Sequence, residues 1–197
     1  MTAISRKTPA ENVIALVKCN KCGKCCSLDS CYIFEDELKR IADFLGITEE
    51  KLKKKCLVES EKFNTKAFKV KTVSFSKPFG PCMFFNKRKK ECSIHSVKPT
   101  HCRIGNPCMN HGEAVSIWFT LNYFVNEKDP ESIRQWNLYL KSHPTIQGGE
   151  LKDLIPDAKK LQKILSYEIL TIQDLEKYDE YYSKISKSKI QSKIQKK

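Results

Sequence analysis

Four cysteines fall within eight residues near the start of this 197-residue chain, and their spacing constrains the fold more than any other feature. Two residues separate Cys19 from Cys22 and Cys22 from Cys25, and Cys26 follows directly. Such a run lets one loop wrap around a metal while Gly23 allows the backbone to approach closely. Four thiolates this close would repel one another without a cation, so the segment predicts a metal site.

A second group of cysteines is spread over residues 82 to 108. Each lies beside a proline, a glycine or a predicted hairpin, so the chain can turn several times around a small object. We therefore expect both groups to converge on one metal centre or on two adjacent ones. The predicted metal and cofactor ligands are Cys19, Cys22, Cys25, Cys26, Cys82, Cys92, Cys102 and Cys108.

Charge and hydropathy indicate the cellular compartment of the protein and the partners that it can have. No secretory signal and no apolar run of about 18 residues is visible, so we expect a cytoplasmic protein without a membrane span. In a reducing compartment, clustered thiols bind metal more often than they form disulfides. The net charge is +13, but metal-bound thiolates would offset part of it. Without a helix-turn-helix, RNA-binding or P-loop signature, nucleic acid is not an expected partner.

Local patterns predict two helices and then short strands. Apolar residues recur at helical spacing from Phe34 to Leu45, with Gly46 as the terminator, and Thr48 caps a second helix that ends near Cys56 or Leu57. A strand is predicted from Phe68 to Phe75. Residues 82–85 and 92–94 are predicted to flank a hairpin tip at 86–91, which would bring two of the cysteines together.

The remainder of the chain is predicted to be mainly helical. Residues 114–125 alternate like a strand and are predicted to be extended. Helices are expected from Pro130 to about Ser142, from Pro156 to Leu170, and after a cap at Thr171.

The predicted fold class is α+β. Residues 1–112 are predicted to form a small, loop-rich, metal-centred domain with short helices and a β-hairpin. A helical extension is predicted over residues 113–182, and a mobile basic tail over 183–197.

The cysteine spacing resembles that of a known family. The matching segments are Cys-x2-Cys-Gly-x-Cys-Cys from Cys19, Gly-x-Cys-x-Phe around Cys82, and Cys-x-Ile-x4-Lys-Pro-x2-Cys-Arg from Cys92. They are similar to the YkgJ-like cysteine-cluster family, a zinc- or iron-chelating domain. The resemblance covers about residues 19 to 108 and implies that seven cysteines occupy metal-site positions, with Cys108 where members often carry another. Family members commonly have Tyr-x2-Arg-Pro where this chain has His95-Ser-Val-Lys98-Pro99.

The number of thiols favours iron–sulfur over zinc. Eight could serve two four-cysteine clusters, one cluster plus a zinc, or a larger cluster, whereas a zinc site normally takes four ligands. We expect an iron–sulfur cofactor of the 4Fe–4S type, with zinc as the alternative. Adjacent Cys25 and Cys26 are expected to serve different irons or different centres.

Two further cysteines and three histidines lie outside the predicted set of ligands. Cys31 and Cys56 are expected to be small buried apolar residues rather than ligands. His95, His101 and His111 flank the distal cysteines; we expect His101 to hold a ligand by a hydrogen bond rather than to bind metal itself.

Three functions remain open. The first is an accessory or electron-transfer iron–sulfur protein that docks on a protein partner through its C-terminal helices, since no catalytic acid–base pair or nucleotide loop is apparent. The second is a structural zinc module that mediates interaction. The third is a cluster-dependent methyltransferase, suggested by a similar cysteine motif in the flagellin lysine N-methylase family. A stand-alone enzyme is not expected.

Overall fold

The computed structural model describes residues 4–17, 19, 21–28, 31–73, 80–104 and 112–168. Within these ranges helices alternate with short antiparallel strands, so the predicted α+β class is confirmed. The helices are α1 (Ala10–Leu16), α2 (Lys24–Leu28), α3 (Glu35–Leu45), α4 (Glu49–Cys56), α5 (Thr100–Ile104), α6 (Gly112–Tyr123), α7 (Pro130–Leu140), α8 (Leu151–Leu154) and α9 (Ala158–Leu165). The strands are β1 (Tyr32–Ile33), β2 (Leu57–Lys62), β3 (Thr65–Val70), β4 (Phe85–Asn86) and β5 (Glu91–Cys92), and His95–Val97 forms a 3-10 turn.

The two helices predicted after Cys31 are confirmed. Helix α3 ends at Gly46, whose φ of 64° places it in the left-handed region that glycine adopts without strain. The Thr48 hydroxyl accepts a hydrogen bond from the backbone N–H of Lys51 and caps α4. Leu38 and Ile41 on α3 are fully buried, so this helix anchors the domain that carries the cysteines.

A three-stranded antiparallel sheet with strand order β1-β3-β2 lies beside this helical pair. Strand β3 begins three residues before the predicted start at Phe68, and the end of the predicted strand lies outside the described residues. Strand β2 was not predicted, because its sequence Leu-Val-Glu-Ser-Glu-Lys has no apolar alternation. It exists because all six of its residues pair with β3 across a two-residue turn at Phe63 and Asn64, both with positive φ.

The predicted hairpin between Cys82 and Cys92 is confirmed. Phe85 pairs with Cys92 and Asn86 with Glu91. The Asn86 side-chain oxygen accepts hydrogen bonds from the backbone N–H groups of Arg88 and Lys89 at 3.0 and 3.1 Å, which fixes the turn. Strand β5 thereby places Cys92 at one edge of a short, well-defined ribbon.

The prediction that residues 114–125 are extended was wrong, because α6 occupies most of this segment. The helix is apolar on several sides, and Val115, Ile117, Trp118, Phe119 and Leu121 are all buried. A helix surrounded by other elements needs apolar residues around most of its circumference. The alternation in the sequence therefore reflects burial and not the period of a strand.

The later helices agree more closely with expectation. The Asp129 carboxylate accepts a hydrogen bond from the N–H of Glu131, and Pro130 opens α7 as predicted. Helix α9 is shorter than predicted and begins after Asp157, which caps it. The helix predicted after Thr171 and the tail at 183–197 lie outside the described residues, and the proposed division into domains stays a prediction.

Buried apolar residues in the described ranges form two clusters, which we call the cysteine cluster and the helical cluster. The cysteine cluster joins α3, α4 and the sheet to Cys31, Cys56, Cys82, Phe84 and Ile94. The helical cluster joins α1 and residues 63–67 to α6, α7, α8 and α9. Phe34 connects the two regions, because its ring lies 5.4 Å from the ring centres of both Tyr123 and Phe124.

Candidate metal centre

Three separate segments of the chain bring cysteines to one small cavity of about 50 Å³. This volume exceeds the ~10–15 Å³ that one water molecule needs. Six of the eight predicted ligands line it, together with Lys21, Gly23, Lys90, Glu91, His95 and Lys98. The six cysteines are Cys19, Cys22, Cys25, Cys26, Cys92 and Cys102.

The other two predicted ligands are Cys82 and Cys108. Cys82 is buried in the cysteine cluster and is tied to the first group because its backbone N–H donates to the carbonyl oxygen of Cys26 at 2.8 Å. It is not among the residues that line the cavity. Cys108 lies outside the described residues.

The first cysteine loop depends on Gly23. Its φ is 72°, and a β-carbon at this position would come within 2.8 Å of Cε2 and Cζ of Phe85. The glycine therefore lets the loop lie directly on the hairpin that carries Cys92. Helix α2 begins at the next residue and holds Cys25 and Cys26.

The last cysteine of the cavity is anchored by a buried carboxylate. Glu37 on α3 accepts hydrogen bonds from the backbone N–H and the hydroxyl of Thr100, at 2.7 and 2.9 Å. Thr100 begins α5, which carries Cys102. The same carboxylate oxygen also contacts Arg40 at 3.4 Å, so Glu37 fixes the start of α5 against α3.

Cys25 and Cys26 form a coupled pair of thiols. Their Sγ atoms lie 4.0 Å apart. The hydrogen bond from the Cys26 thiol lowers the pKa of Cys25 to about 6, whereas the same bond and burial raise the pKa of Cys26. The short distance between the two sulfur atoms thus favours one thiolate in the pair, which is an anionic metal donor.

Basic side chains surround the cavity. Lys21, Lys90 and Lys98 are among its lining residues. Lys98 lowers the pKa of Cys25 and opposes the rise that burial causes in the pKa of Cys92. These cations would offset the charge of several thiolates held at one place.

The two described histidines near the cavity differ in their contacts. His101 accepts a hydrogen bond at Nδ1 from the backbone N–H of Tyr32, at 3.4 Å, and its ring packs on Phe119. It holds the start of β1 against the start of α5, next to Cys102. His95 lines the cavity itself, and burial together with Lys98 and Lys21 lowers its pKa.

Cys31 is closer to the predicted ligands than its sequence position indicates. It is only 5% exposed, as expected for a buried apolar residue. Its thiol also hydrogen-bonds to Cys102, which together with burial raises the pKa of Cys31. Its neighbouring sequence carries no signal of this contact, because the position of Cys31 depends on the pairing of β1, which begins one residue later, with β3.

The donor set is that of a soft metal such as zinc or iron. Among the residues that the structure describes, no three His, Cys, Asp or Glu side chains surround a point as the ligands of a single ion do. Six thiols around one cavity exceed the four ligands of a closed zinc site, and thiolate is the usual ligand of both zinc and iron–sulfur clusters.

The cysteines that the structure describes are not joined in disulfides. Nine of the ten are described, and each of the nine is a thiol. Fold and site together define an α+β protein with a thiol-lined metal-binding site.

Comparison with known proteins agrees with this class. Residues 18–116 match the model of the CxxCxxCC family, described as "Putative zinc- or iron-chelating domain", and the chain belongs to this family. It is also 33% identical over 86 residues to Uncharacterized protein MJ0661 of Methanocaldococcus jannaschii. That match covers 44% of this chain and 42% of the relative, so the chain spans less than half of the relative's length. No solved structure matches the chain.

None of the helices in the described ranges has the length and apolar character needed to cross a membrane.

Proposed function

We propose that this chain is an iron–sulfur protein that carries electrons, or a cluster, for a protein partner. The observation that carries the proposal is the convergence of six thiols from three segments on one cavity. Such a set consists of soft thiolate donors, and it can supply the four cysteine ligands of a cluster of the 4Fe–4S type with two thiols to spare. An iron–sulfur cluster held there would supply one-electron chemistry.

The position and charge of the cavity support an electron-transfer role. Cys22 is exposed and Cys19 and Cys25 are partly exposed, so a centre held by them would lie close to the surface. The exposed Lys21 and Lys90 lie beside it. A positively charged rim suits an acidic redox partner, because complementary charge speeds association.

The proposal includes a docking region and a compartment. We assign docking to the C-terminal helical region, where Leu138 on α7 is 65% exposed although it is a large apolar residue. We place the protein in the cytoplasm, because a reducing compartment keeps thiols available as ligands.

The first test is the metal content of protein purified without oxygen. We expect iron and acid-labile sulfide in similar amounts, broad absorption near 400 nm, and an EPR signal that appears and disappears with reversible reduction. Stoichiometric zinc without sulfide, or a centre that cannot be reduced, would contradict the proposal. Cys25→Ser should lose metal, whereas Cys56→Ser, which alters a buried thiol of the cysteine cluster away from the cavity, should keep it.

One observation favours a zinc module as the second candidate. Two thiolates on one tetrahedral zinc, with Zn–S bonds near 2.3 Å, are about 3.8 Å apart. The 4.0 Å between Cys25 and Cys26 Sγ is close to this value, although the two were predicted to serve different centres. A zinc module would be colourless, would bind zinc through both thiols, and would fold only with the metal.

A further inference from the structure

His95 occupies a fixed position on the wall of the thiol-lined cavity. It begins the 3-10 turn His95–Val97, directly after Ile94, which is almost completely buried. At the other end of the turn, the Val97 carbonyl accepts a hydrogen bond from Nη1 of Arg40 at 2.7 Å. The turn is therefore held on both sides, which fixes the backbone of His95 beside the cysteines.

The ring nitrogen Nε2 of His95 is buried and has no hydrogen-bond partner among the described residues. Leaving a buried polar atom unpaired costs roughly 1–3 kcal/mol. Other ring nitrogens in the described chain are used: Nδ1 of His101 accepts from Tyr32, and Nδ1 of His143 lies 2.9 Å from the Ser142 hydroxyl. His95 thus has a specific need for a partner at the place where six thiols converge.

From these observations we propose that Nε2 of His95 is a nitrogen ligand of the metal centre, beside the cysteine thiolates. A metal ion would satisfy the unpaired nitrogen, and imidazole is a good ligand for both iron and zinc. The inference rests on the proposed metal centre and adds a donor of a different element to it.

A nitrogen ligand would change the properties of the centre. In iron–sulfur sites, histidine in place of cysteine raises the reduction potential, because a neutral imidazole donates less negative charge than a thiolate. Replacing His95 with cysteine should therefore lower the potential, whereas a histidine that only filled space would give no such shift.

The test uses pulsed EPR on the full chain, purified without oxygen and reduced. We expect hyperfine coupling to nitrogen-14 that changes to the nitrogen-15 pattern when the histidines alone are labelled with nitrogen-15. His95→Phe should lose this coupling, and His95→Cys should lose it and lower the reduction potential. The controls His101→Phe and His143→Phe should retain it. If the metal proves to be zinc, the same coupling is measured on the cobalt(II)-substituted protein.

The outcomes separate this inference from the proposed function. Protein that binds neither iron nor zinc would overturn both. A metal-loaded wild-type protein without histidine nitrogen coupling would overturn only the assignment of His95, and so would coupling that survives in His95→Phe. The labelled wild-type measurement needs no variant, so a variant that fails to fold leaves the inference testable.

Discussion

The helical cluster and the short elements around the thiol-lined cavity are stabilised in different ways. The helical cluster contains α6 and α7, of 12 and 11 residues, and large buried rings such as Trp136 and Phe124. Around the cavity, by contrast, the elements have only two to five residues: α2, β4, β5 and α5. Segments this short do not maintain their own structure in water. The comparison predicts that packing suffices for the helical cluster, whereas the short elements around the cavity depend on bound metal.

Metal removal gives the largest expected effect and tests this comparison directly. Metal binding by thiolate peptides can supply about 10 kcal/mol or more of folding free energy. After chelation we expect residues 21–28 and 80–104 to lose protection from hydrogen–deuterium exchange, while α6 and α7 keep theirs. Mass spectrometry of the exchanged peptides makes the measurement. Equal loss of protection in both regions, or no loss in either, would show that the two regions do not differ in their dependence on metal.

Trp136→Ala should destabilise the helical cluster and leave metal binding unchanged. The indole is fully buried, lies 5.5 Å from the ring centre of Phe63, and donates a hydrogen bond to the Gly149 carbonyl at 2.8 Å. Its loss should lower the free energy of unfolding by about 3–5 kcal/mol, measured by urea denaturation. Leu138→Ala on the same helix is the control and should change it by less than about 0.5 kcal/mol. Metal content per folded chain should stay constant in both variants.

Gly23→Ala and Gly46→Ala separate backbone strain from steric contact. Both glycines have positive φ, so alanine costs roughly 1–2 kcal/mol at either position. Among the described residues other than its chain neighbours, none has an atom within 4 Å of a β-carbon at Gly46, whereas a β-carbon at Gly23 would collide with Phe85. We expect only Gly23→Ala to weaken metal binding, by about tenfold or more, in competition with a chelator. Equal metal affinity in the two variants would show that the contact with Phe85 does not position the loop.

Cys31→Ser and Cys56→Ser compare two buried cysteines outside the spaced motifs. Each exchange places a hydroxyl in an apolar site and should cost about 1–3 kcal/mol of stability. Only Cys31 hydrogen-bonds to a predicted ligand, Cys102. We therefore expect Cys31→Ser alone to shift the absorption bands of the bound metal. Identical spectra in both variants would show that Cys31 is the small buried apolar residue that the sequence predicted.

His101→Phe should have the smallest effect. Phenylalanine preserves the ring packing on Phe119 but removes the acceptor for the Tyr32 N–H. We expect metal affinity to fall about tenfold, the lower end for groups that orient a ligand, as measured by chelator competition. A loss of all metal would instead make His101 a ligand.

Features that depend on neighbouring residues in the chain were predicted well. The caps at Thr48, Gly46 and Asp129 act within one turn of their own helix, so α3, α4 and α7 follow from a few adjacent residues. The hairpin at 86–91 follows from a polar turn between two short apolar segments. Strand β2 and helix α6 were missed because their conformations depend on what covers them, which their own periodicity does not reveal.

The sequence by itself determined that this chain carries a cysteine motif of metal-binding type, because thiol spacing within one loop is a local property. Only the tertiary structure decided which distant groups join that loop. Cys92 and Cys102 reach it through a hairpin and through a helix held by Glu37, whereas Cys31 and His95 come beside it through a strand and a turn whose sequences give no such signal. The physical reason is that convergence depends on packing between elements far apart in the chain, and the sequence of each element alone does not contain it.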